Sequence, residues 1–497
     1  MSERVAVVGV GQTKYASKRQ DVSIAGLVRE AAKRALDDAG MGWSDIDAVV
    51  IGKAPDMFEG VMMPELYLAD ALGAVGKPML RVHTAGSVGG STGVMATHLV
   101  SSGTYRRVLV VCFEKQSESN ATWALSIRLP FTGGIVTGAG GYFAPVIRAY
   151  IRRANAPDHI GIKVAVKDRL NALKNQYAHL QIPDISEDMV RESPMLWDPI
   201  RYLETCPSSD GACAIVLTDE DTAKGTPNPP AWIHGTAVRS EPTMGAGRDV
   251  VNPNAGRDCA ADVYAQAGIT DPRREIDCAE IYVPFSWYEP MWMENLGFAE
   301  VGAGWKMVDD DSTSLTGDLP VNPSGGVLSS NPIGASGMCR FAEAALQVRG
   351  MAGAHQVDGA RRALGHAYGG GAQFFAMWIV GSERPALPPS TARLPWSPEA
   401  PAGWARRTSA GCTTPARPWS RRTSSTTTAR PWSNPSAPTR PARSPGTHTS
   451  TSPPRTAGGR WSRGSSAGSV TSTSWSTTRA SWPSTRLPTS RSRSSGG

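Results

Sequence analysis

The stretch RVHTAGSVGGSTGVMATHLVSSG, residues 81–103, combines a glycine- and serine-rich turn with a helix that Gly103 should end. Helix N-termini reached through glycine turns commonly hold a nucleophile or bind an anion, because backbone N–H groups are unpaired there and the helix dipole is positive. The turn contains no cysteine. Ser87 and Ser91 are poor nucleophiles without an adjacent base, so the pattern favours a turn that binds an oxyanion.

Three later loops are also marked by glycine or proline. Their sequences are EIYVPFSWYEP (280–290), NPSGGVLSSNPIGASG (322–337) and GHAYGGGAQ (365–373). The phenol, imidazole and amide groups in them fit general acid–base work and oxyanion stabilisation. The second loop also opens an aromatic stripe, which is typical either of a protein core or of a wall for a large apolar ligand. The stripe comprises Trp287, Tyr288, Trp292 and Met293.

Alternating strand and helix patterns are predicted to position these loops. VAVVGVG (5–11) and IDAVVIG (46–52) are typical of buried strands, and SIAGLVREAAKRALDDAG (23–40) has helical spacing and a glycine stop. The same alternation continues to a final strand, QFFAMWIVGSE (373–383). This order predicts an α/β protein with doubly wound, buried sheets.

A repeated phrase indicates two similar halves. ALDDAGMGWSDIDAVVIG (35–52) is echoed by VYAQAGITDPRREIDCAEIY (263–282), and both run from a helix end through a polar loop into a strand. We therefore predict two α/β halves, residues 1–225 and 226–385. The first half has an insertion at about 115–205 that is expected to cover the site.

The C-terminal segment 386–497 differs sharply in composition. From Pro388 to Gly497 there are sixteen Arg and one acidic residue, Glu399, a net +15; since the whole chain carries +7, the rest carries −8. The segment lacks Ile, Met, Phe, Tyr, Lys and Gln, so it cannot bury enough apolar surface to offset its chain entropy, and we predict disorder. A basic arm for RNA, membranes or acidic partners is one interpretation. The near absence of AT-rich codons favours a non-functional, frameshift-derived tail.

The mildly acidic remainder gives no reason to expect nucleic-acid binding. The seven cysteines are far apart and form no CxxC pair, which argues against a disulfide framework or a zinc site and favours a reducing compartment. The N-terminal apolar run is too short for a signal peptide, and no run of 18 apolar residues occurs. We expect a soluble cytoplasmic protein without a bound metal and without membrane contact.

The order and spacing of the four loops resemble the thiolase superfamily. The strongest likeness is to the sterol-carrier-protein-x-type thiolases and to the thiolase-like lipid-transfer-protein aldolases of actinobacterial steroid catabolism. GGVLSSNPIGASG (325–337) is the most specific motif, CPSSDGACAIVL (206–217) also looks like that family, and the likeness covers roughly residues 3–385. It implies a five-layered αβαβα fold that acts on acyl-CoA thioesters, with coenzyme A as part of the substrate and no other cofactor.

Carried over residue by residue, the resemblance shows where this chain departs from a working thiolase. Gly86 stands at the position of the acyl-accepting cysteine, and Ala367 at that of the acid/base cysteine. Tyr282 replaces the Asn or His of the second loop, and Asn331 the His of the third. Without a thiol at residue 86 no acyl-enzyme can form by the thiolase route, so the resemblance points to retro-aldol cleavage of a β-hydroxyacyl-CoA.

Retro-aldol cleavage needs a base for the β-hydroxyl proton, a site for the thioester enolate and an acid for the enolate carbon. The resemblance makes Tyr282 and Tyr368 candidates for base and acid, with His366 as a relay and Asn331 as an amide donor to the thioester oxygen. Backbone N–H groups of residues 369–371 are predicted to lower the phenol pKa. The residues predicted to bind acyl-CoA are Gly86, Ser87, Gly89, Gly90, Gly334, Ser336, Gly369 and Gly370.

Packing alternatives stay open, since Tyr282 fits a core aromatic and His366 a satisfied core histidine. Two other functions also stay open: an acyltransferase of the thiolase type, and a non-catalytic lipid or acyl-CoA carrier or inactive subunit. The resemblance implies a homodimer, or a heterocomplex with another thiolase-like chain and a small zinc-ribbon/OB-fold protein.

Overall fold

Strands and helices alternate along the residues that the computed structural model describes, which are 3–54, 63–118, 138–242 and 247–386. Residues 387–497 of the predicted tail lie outside these ranges. Among the described residues, no helix combines the length and apolar character needed to cross a membrane.

The strands are β1 Val5–Gln12, β2 Ala48–Lys53, β3 Met79–Val82, β4 Arg107–Lys115, β5 Met195–Trp197, β6 Ile200–Arg201, β7 Asp210–Asp219, β8 Ala231–Ser240, β9 Cys278–Glu280, β10 Arg362–Gly369 and β11 Phe374–Gly381. The α-helices are α1 Ile24–Ala39, α2 Glu65–Leu68, α3 Val88–Ser101, α4 Gly138–Ala154, α5 His159–Ala172, α6 Glu187–Glu192, α7 Glu220–Ala223, α8 Asn254–Ala267, α9 Pro272–Glu275, α10 Tyr288–Asn295, α11 Gly304–Asp309, α12 Gly326–Ser329 and α13 Ile333–Val348.

Nine strands form one mixed sheet in the order β3-β2-β4-β7-β1-β8-β11-β10-β9. The first five come from the N-terminal part of the chain and the last four from the C-terminal part. They join where β1 pairs antiparallel with β8, at Ala6↔Trp232 and Val7↔Ala231. At one end of the sheet β2 pairs parallel with β3. At the other end Ala279 of β9 forms an isolated parallel bridge with Val321.

The helices form three layers around the two groups of strands. α1 packs against β1 and β7, and α8 packs against β8 and β11. α3 and α13 pack against each other, and both contact strands of the N-terminal and the C-terminal group. The order is therefore helix, strands, paired helices, strands, helix, as predicted for an αβαβα protein.

The two copies of the repeated phrase share a structural detail. Helix α1 begins at the N-cap Ser23, whose Oγ accepts from Gly26 N at 3.1 Å, and ends at Gly40 with φ +66°. Helix α8 ends in the same way at Gly268, also with φ +66°. This agreement follows from the repeated phrase in the sequence, because a glycine in the left-handed conformation is a common helix stop.

Candidate active site

The first loop meets the fourth loop at Gly86. A Cβ built on Gly86 would lie 3.4 Å from both Gly369 Cα and Tyr368 O, whereas a Cβ on Gly369 would lie only 2.4 Å from the backbone nitrogens of Gly86 and Ser87. Glycine at 369 is therefore required by the close approach of two backbones. These contacts bring the cysteine-free turn against the end of β10.

The two serines of the first loop are engaged in local hydrogen bonds. Ser87 Oγ donates to Thr84 O at 2.7 Å, and Thr84 Oγ1 donates to Ser91 Oγ at 2.7 Å. Both serines are buried, and neither imidazole nor carboxylate is among these partners. They stabilise the start of α3, and none of their partners among the described residues is the base that an activated nucleophile requires.

Three glycines predicted to bind acyl-CoA instead permit close packing. A Cβ on Gly89 would lie 2.4 Å from Met338 N, one on Gly90 would lie 2.6 Å from Ala367 Cβ, and one on Gly334 would lie 2.4 Å from a carbonyl oxygen of β4. The first two contacts join α3 to α13 and β10, and the third seats the start of α13 on the sheet. The role of these three glycines in binding acyl-CoA stays a prediction.

Tyr282 and Tyr368 lie ring against ring. Their centroids are 5.3 Å apart and their planes meet at 86°. Tyr282 follows β9 and Tyr368 lies near the end of β10, and these strands are parallel neighbours, so both deliver their carboxyl ends to one edge of the sheet. Only 4% of Tyr282 and 2% of Tyr368 is exposed. The structure thus brings the rings of the two predicted proton carriers together, and the backbone carbonyl oxygen of Tyr368 lies against the turn at Gly86.

Asn331 connects several parts of this site. Its Oδ1 accepts from Ser336 Oγ at 2.7 Å and from Tyr282 Oη at 3.4 Å, and its Nδ2 donates to Cys206 Sγ at 3.1 Å. Its backbone N–H donates to Ser209 Oγ at 3.1 Å, which fixes the loop. Ser336 was predicted to bind acyl-CoA; its hydroxyl is buried and is used to orient the amide of Asn331.

His366 supports Tyr282 through the backbone. Its Nδ1 accepts from Tyr282 N at 3.3 Å, while its Nε2 has no hydrogen-bond partner among the residues described. Burial lowers the pKa of His366 to about 3, so the ring is neutral at neutral pH. The predicted relay is therefore corrected: the imidazole holds the main chain of Tyr282 and makes no hydrogen bond to either phenol in the described part of the chain.

Burial raises the pKa of both phenols above their ordinary value of 10, and the nearby thiol of Cys206 raises it further. The prediction that residues 369–371 lower the phenol pKa is wrong. Gly370 and Gly371 adopt φ of +63° and +66° and turn the chain towards β11. Both phenols are neutral at neutral pH.

Cys206 is a site residue that sequence reasoning missed. It is partly exposed, whereas the other five described cysteines are buried. Its N–H donates to Pro284 O at 2.9 Å, and Thr205 forms an antiparallel bridge with Phe285, so the segment pairs with the second loop. Burial raises the pKa of the thiol to about 11, opposed by the hydrogen bond from Asn331. The family-like motif CPSSDG (206–211) contains this cysteine. It lies far along the chain from the four loops of the site, so the position of Cys206 in the site was not predicted.

Helix α5 ties these loops together through Arg169. The guanidinium donates to Leu203 O at 3.3 Å, to Thr205 O at 3.1 Å and to Leu328 O. It therefore spans the segments before Cys206 and before Asn331. The charge is buried, and burial lowers the pKa of Arg169 to about 10.

The aromatic stripe belongs to the core around the site. Trp292 Nε1 donates to Tyr282 O at 2.8 Å, and Tyr288 stacks on Tyr368 with centroids 5.6 Å apart. Phe143 of α4 meets Tyr288 edge-on with ring centroids 5.5 Å apart, so this residue of the insertion packs on the stripe. Trp287 and Met293 are buried as well. Within the described ranges, no three His, Cys, Asp or Glu side chains are grouped so that they could hold a metal ion.

Comparison with known proteins places these features in one family. Residues 236–382 match the family described as Thiolase C-terminal domain-like. Acetyl-CoA acetyltransferase of Methanothermobacter thermautotrophicus is 31% identical over 386 residues, which cover 74% of this chain and 96% of that protein. Sterol carrier protein 2 of Homo sapiens is 29% identical over 401 residues, covering 76% of this chain and 72% of that protein.

Among solved structures, the Ltp2-ChsH2(DUF35) aldolase matches with a TM-score of 0.66 and 26% identity, covering 76% of this chain and 98% of that chain. The thiolase-like α/β fold predicted from the four loops is confirmed. The chain belongs to the thiolase superfamily, among the thiolases related to sterol carrier protein 2.

Proposed function

We propose that the protein is a carbon–carbon lyase that cleaves a β-hydroxyacyl-CoA by a retro-aldol reaction, with a steroid or branched-lipid side chain as the acyl group. The observation that carries this proposal is the contact between the rings of Tyr282 and Tyr368, whose centroids are 5.3 Å apart, in a site where the backbone of Tyr368 meets the cysteine-free turn at Gly86. The similarity to the Ltp2-ChsH2(DUF35) aldolase supports the reaction class.

The protonation state of the phenols fits a reaction that returns its proton. In retro-aldol cleavage the proton lost by the β-hydroxyl is regained at the α-carbon, so no net acid or base is consumed. A neutral phenol can accept that proton at its oxygen while it gives its own proton to another group. The electron pair of the breaking Cα–Cβ bond forms the thioester enolate, and the other product leaves as a ketone or aldehyde.

The enolate oxygen needs hydrogen-bond donors. Asn331 Nδ2 carries two N–H groups, of which one is directed at Cys206 Sγ; in the proposal the second donates to the thioester oxygen. Coenzyme A enters only as part of the substrate, and Gly86, Ser87, Gly369 and Gly370 are proposed to let the thioester approach the backbone.

Conservative tyrosine variants test the proposal. Tyr282→Phe and Tyr368→Phe should each lower kcat/KM for a β-hydroxyacyl-CoA steroid by about 100-fold or more, the lower range for general acid–base catalysis. The measurement is release of ketone or aldehyde. Tyr264→Phe is the matched control, because its buried hydroxyl donates to Leu296 O at 2.8 Å, in contacts unrelated to the site. Unchanged cleavage by both site variants would favour a non-catalytic carrier.

An acyltransferase is the second candidate, and the 31% identical acetyl-CoA acetyltransferase favours it. Incubation with acetyl-CoA followed by intact-mass measurement separates the two. We expect no covalent adduct, because Gly86 offers no thiol. A stable acetyl adduct would favour the acyltransferase, and peptide mapping would locate it.

The assembly is proposed to include a small zinc-ribbon/OB-fold protein. The support is that the similar solved structure is an Ltp2-ChsH2(DUF35) aldolase, which is named after two components. A homodimer is the alternative. Affinity purification of the chain after co-expression with its gene neighbours, followed by mass measurement of the intact complex, distinguishes them.

A further inference from the structure

We propose that His179 is a positioning residue for the cleavage reaction, which acts through the hydroxyl of Ser209 to hold the loop that carries Asn331. This inference rests on the proposed lyase function, in which the amide of Asn331 donates to the thioester oxygen. His179 and Ser209 lie outside the four loops, His179 on the segment after α5 and Ser209 directly before β7.

The first support is a bridge between Ser209 and Asn331. Ser209 N donates to Asn331 O at 3.2 Å, and Asn331 N donates to Ser209 Oγ at 3.1 Å. Gln116 Nε2 also donates to Asn331 O, and all three residues are buried. The main chain of Asn331 is therefore held through both its N–H and its C=O group, and the Ser209 hydroxyl helps to set where the side-chain amide lies.

The second support is the place of His179 next to this bridge. Its Nδ1 lies 2.8 Å from Ser209 Oγ, and its backbone N–H donates to Ser330 Oγ at 2.9 Å. Ser330 directly precedes Asn331 in the third loop. His179 therefore contacts the loop at two neighbouring points, once through its ring and Ser209, and once through its own main chain.

The hydrogen bonds around Ser209 assign the tautomer of His179. A backbone N–H can only donate, so Ser209 Oγ accepts from Asn331, and the proton of the hydroxyl needs a different acceptor. Within the described ranges, the acceptor that faces this hydroxyl is His179 Nδ1. The neutral ring therefore carries its proton on Nε2. A second ring proton, on Nδ1, would set two donors against one oxygen and leave the proton of Ser209 without an acceptor.

The surroundings of His179 keep the ring neutral near pH 7. Burial lowers the pKa of His179 below its ordinary value of 6.5, and the positive charges of Lys14 and Arg169 lower it further, while the carboxylate of Asp210 opposes them. Lys14 is fixed beside the ring, since its Nζ donates to Ala178 O at 2.7 Å. The acceptor at Nδ1 is therefore present at neutral pH and is lost as the pH falls through the lowered pKa.

His179→Asn separates positioning from general stability. The side-chain oxygen of asparagine is an acceptor two bonds from Cβ, as Nδ1 is, but it does not gain a proton in this pH range. We measure kcat/KM for release of ketone or aldehyde from a β-hydroxyacyl-CoA steroid between pH 5 and 8. In the wild type it should fall below pH 6.5 by up to about tenfold per pH unit. His179→Asn should keep the wild-type value at pH 7.5 and remove this fall.

Two alanine variants remove the contact at every pH. His179→Ala and Ser209→Ala should lower kcat by about 10-fold to 100-fold at pH 7.5, the effect of a small displacement of a reacting group. KM should change little, because the contact of Asn331 with the enolate oxygen is made mainly in the transition state. His234→Gln is the matched control, since its Nε2 lies 2.8 Å from Glu383 O and burial lowers its pKa as well. It should keep the wild-type profile.

The tautomer is read without substrate from the NMR spectrum of the full chain with ¹⁵N-labelled histidine. His179→Asn assigns the signal, and we expect the Nε2–H form at pH 7.5. Ser209→Ala removes the hydroxyl that donates to Nδ1, so the Nδ1–H form should rise in that variant.

The outcomes are distinguishable. Loss of the acid-side fall in His179→Asn, with a lowered kcat in both alanine variants, supports the inference. An Nδ1–H tautomer in the wild type, or the wild-type rate in both alanine variants, overturns this inference alone. An acid-side fall that is absent from the wild type, or that persists in His179→Asn, also overturns it. A wild-type protein with the Nε2–H tautomer that does not cleave overturns the lyase function, and the role of His179 with it.

Discussion

Gly369→Ala and Gly86→Ala add the same methyl group to opposite sides of one loop contact, with opposite expected results. A Cβ on Gly369 would lie 2.4 Å from the backbone nitrogens of Gly86 and Ser87 and 2.7 Å from Gly86 Cα. Real Cβ atoms do not come closer than about 3.0 Å to other heavy atoms, so the two loops would have to separate by more than half an ångström. A Cβ on Gly86 would lie 3.4 Å from its nearest neighbours, which is ordinary contact.

Overpacking of this kind costs about 1–3 kcal/mol of unfolding free energy, since backbone cannot yield as a flexible side chain does. Gly369→Ala should therefore shift the urea midpoint downwards. It should also slow cleavage by up to about 100-fold, because displacement of a reacting group by about 1 Å has that effect. Gly86→Ala, by comparison, should be neutral or stabilising by about 0.4–1 kcal/mol, since alanine restricts the unfolded chain. Equal stability of Gly369→Ala and wild type, or a larger loss in Gly86→Ala, would refute the described contact.

Two buried ionisable groups give further predictions. The pKa of His366 is about 3 in the folded protein and 6.5 in an ordinary histidine, so protonation of this side chain favours the unfolded chain. Above pH 6.5 the side chain is neutral in both states and does not change stability with pH. Between pH 6.5 and 3 the free energy of unfolding falls by up to about 1.4 kcal/mol per pH unit. His366→Gln should flatten this slope in urea titrations, and an unchanged slope would contradict a buried neutral imidazole. Lys167 Nζ lies 2.6 Å from Glu289 Oε2 in the interior, so Lys167→Met should cost about 3–5 kcal/mol by leaving the carboxylate unpaired. Adding Glu289→Gln should recover part of that loss; if the double variant is less stable than the single one, the pair is not the cause.

Local sequence signals predicted the parts of the fold that depend on local geometry. Ser23 and Gly40 bound α1 as the helical spacing and the glycine stop indicated, and the repeated phrase anticipated the same stop at Gly268. The resemblance to thiolases, which made Tyr282 and Tyr368 the candidate base and acid, also implied that they would lie close together. In the structure their nearness follows from β9 and β10, which are parallel neighbours whose carboxyl ends lie at one edge of the sheet.

Features set by tertiary contacts were not accessible from the sequence. Gly89 and Gly90 look the same in sequence whether they face a ligand or a helix, and only the approach of α13 decides that they pack. The phenol pKa was predicted in the wrong direction because the stacking of Tyr288 on Tyr368 and the cover by Phe143 join distant segments. The place of Cys206 in the site was not predicted either, because it depends on the pairing of its segment with the distant second loop.

The distribution of charge around the site favours proton transfer between neutral groups over covalent catalysis. Two buried ion pairs lie near the site, Glu280 with Arg340 and Glu289 with Lys167, while the buried guanidinium of Arg169 donates to backbone carbonyl oxygens. Glu280 also accepts from Ser324 Oγ at 2.9 Å, so the pair of Glu280 and Arg340 holds the start of the third loop, residues 322–337.

The groups at the site itself are neutral, since burial raises the pKa of the phenols and of Cys206 and lowers that of His366. Acyl transfer by a thiolase route needs a thiolate, and neither Gly86 nor the contacts of Cys206 provide the base that would generate one. Retro-aldol cleavage returns the proton that it removes, so it can proceed among groups that begin and end neutral. The electrostatics of the site therefore support the lyase proposal independently of the similarity to a known aldolase.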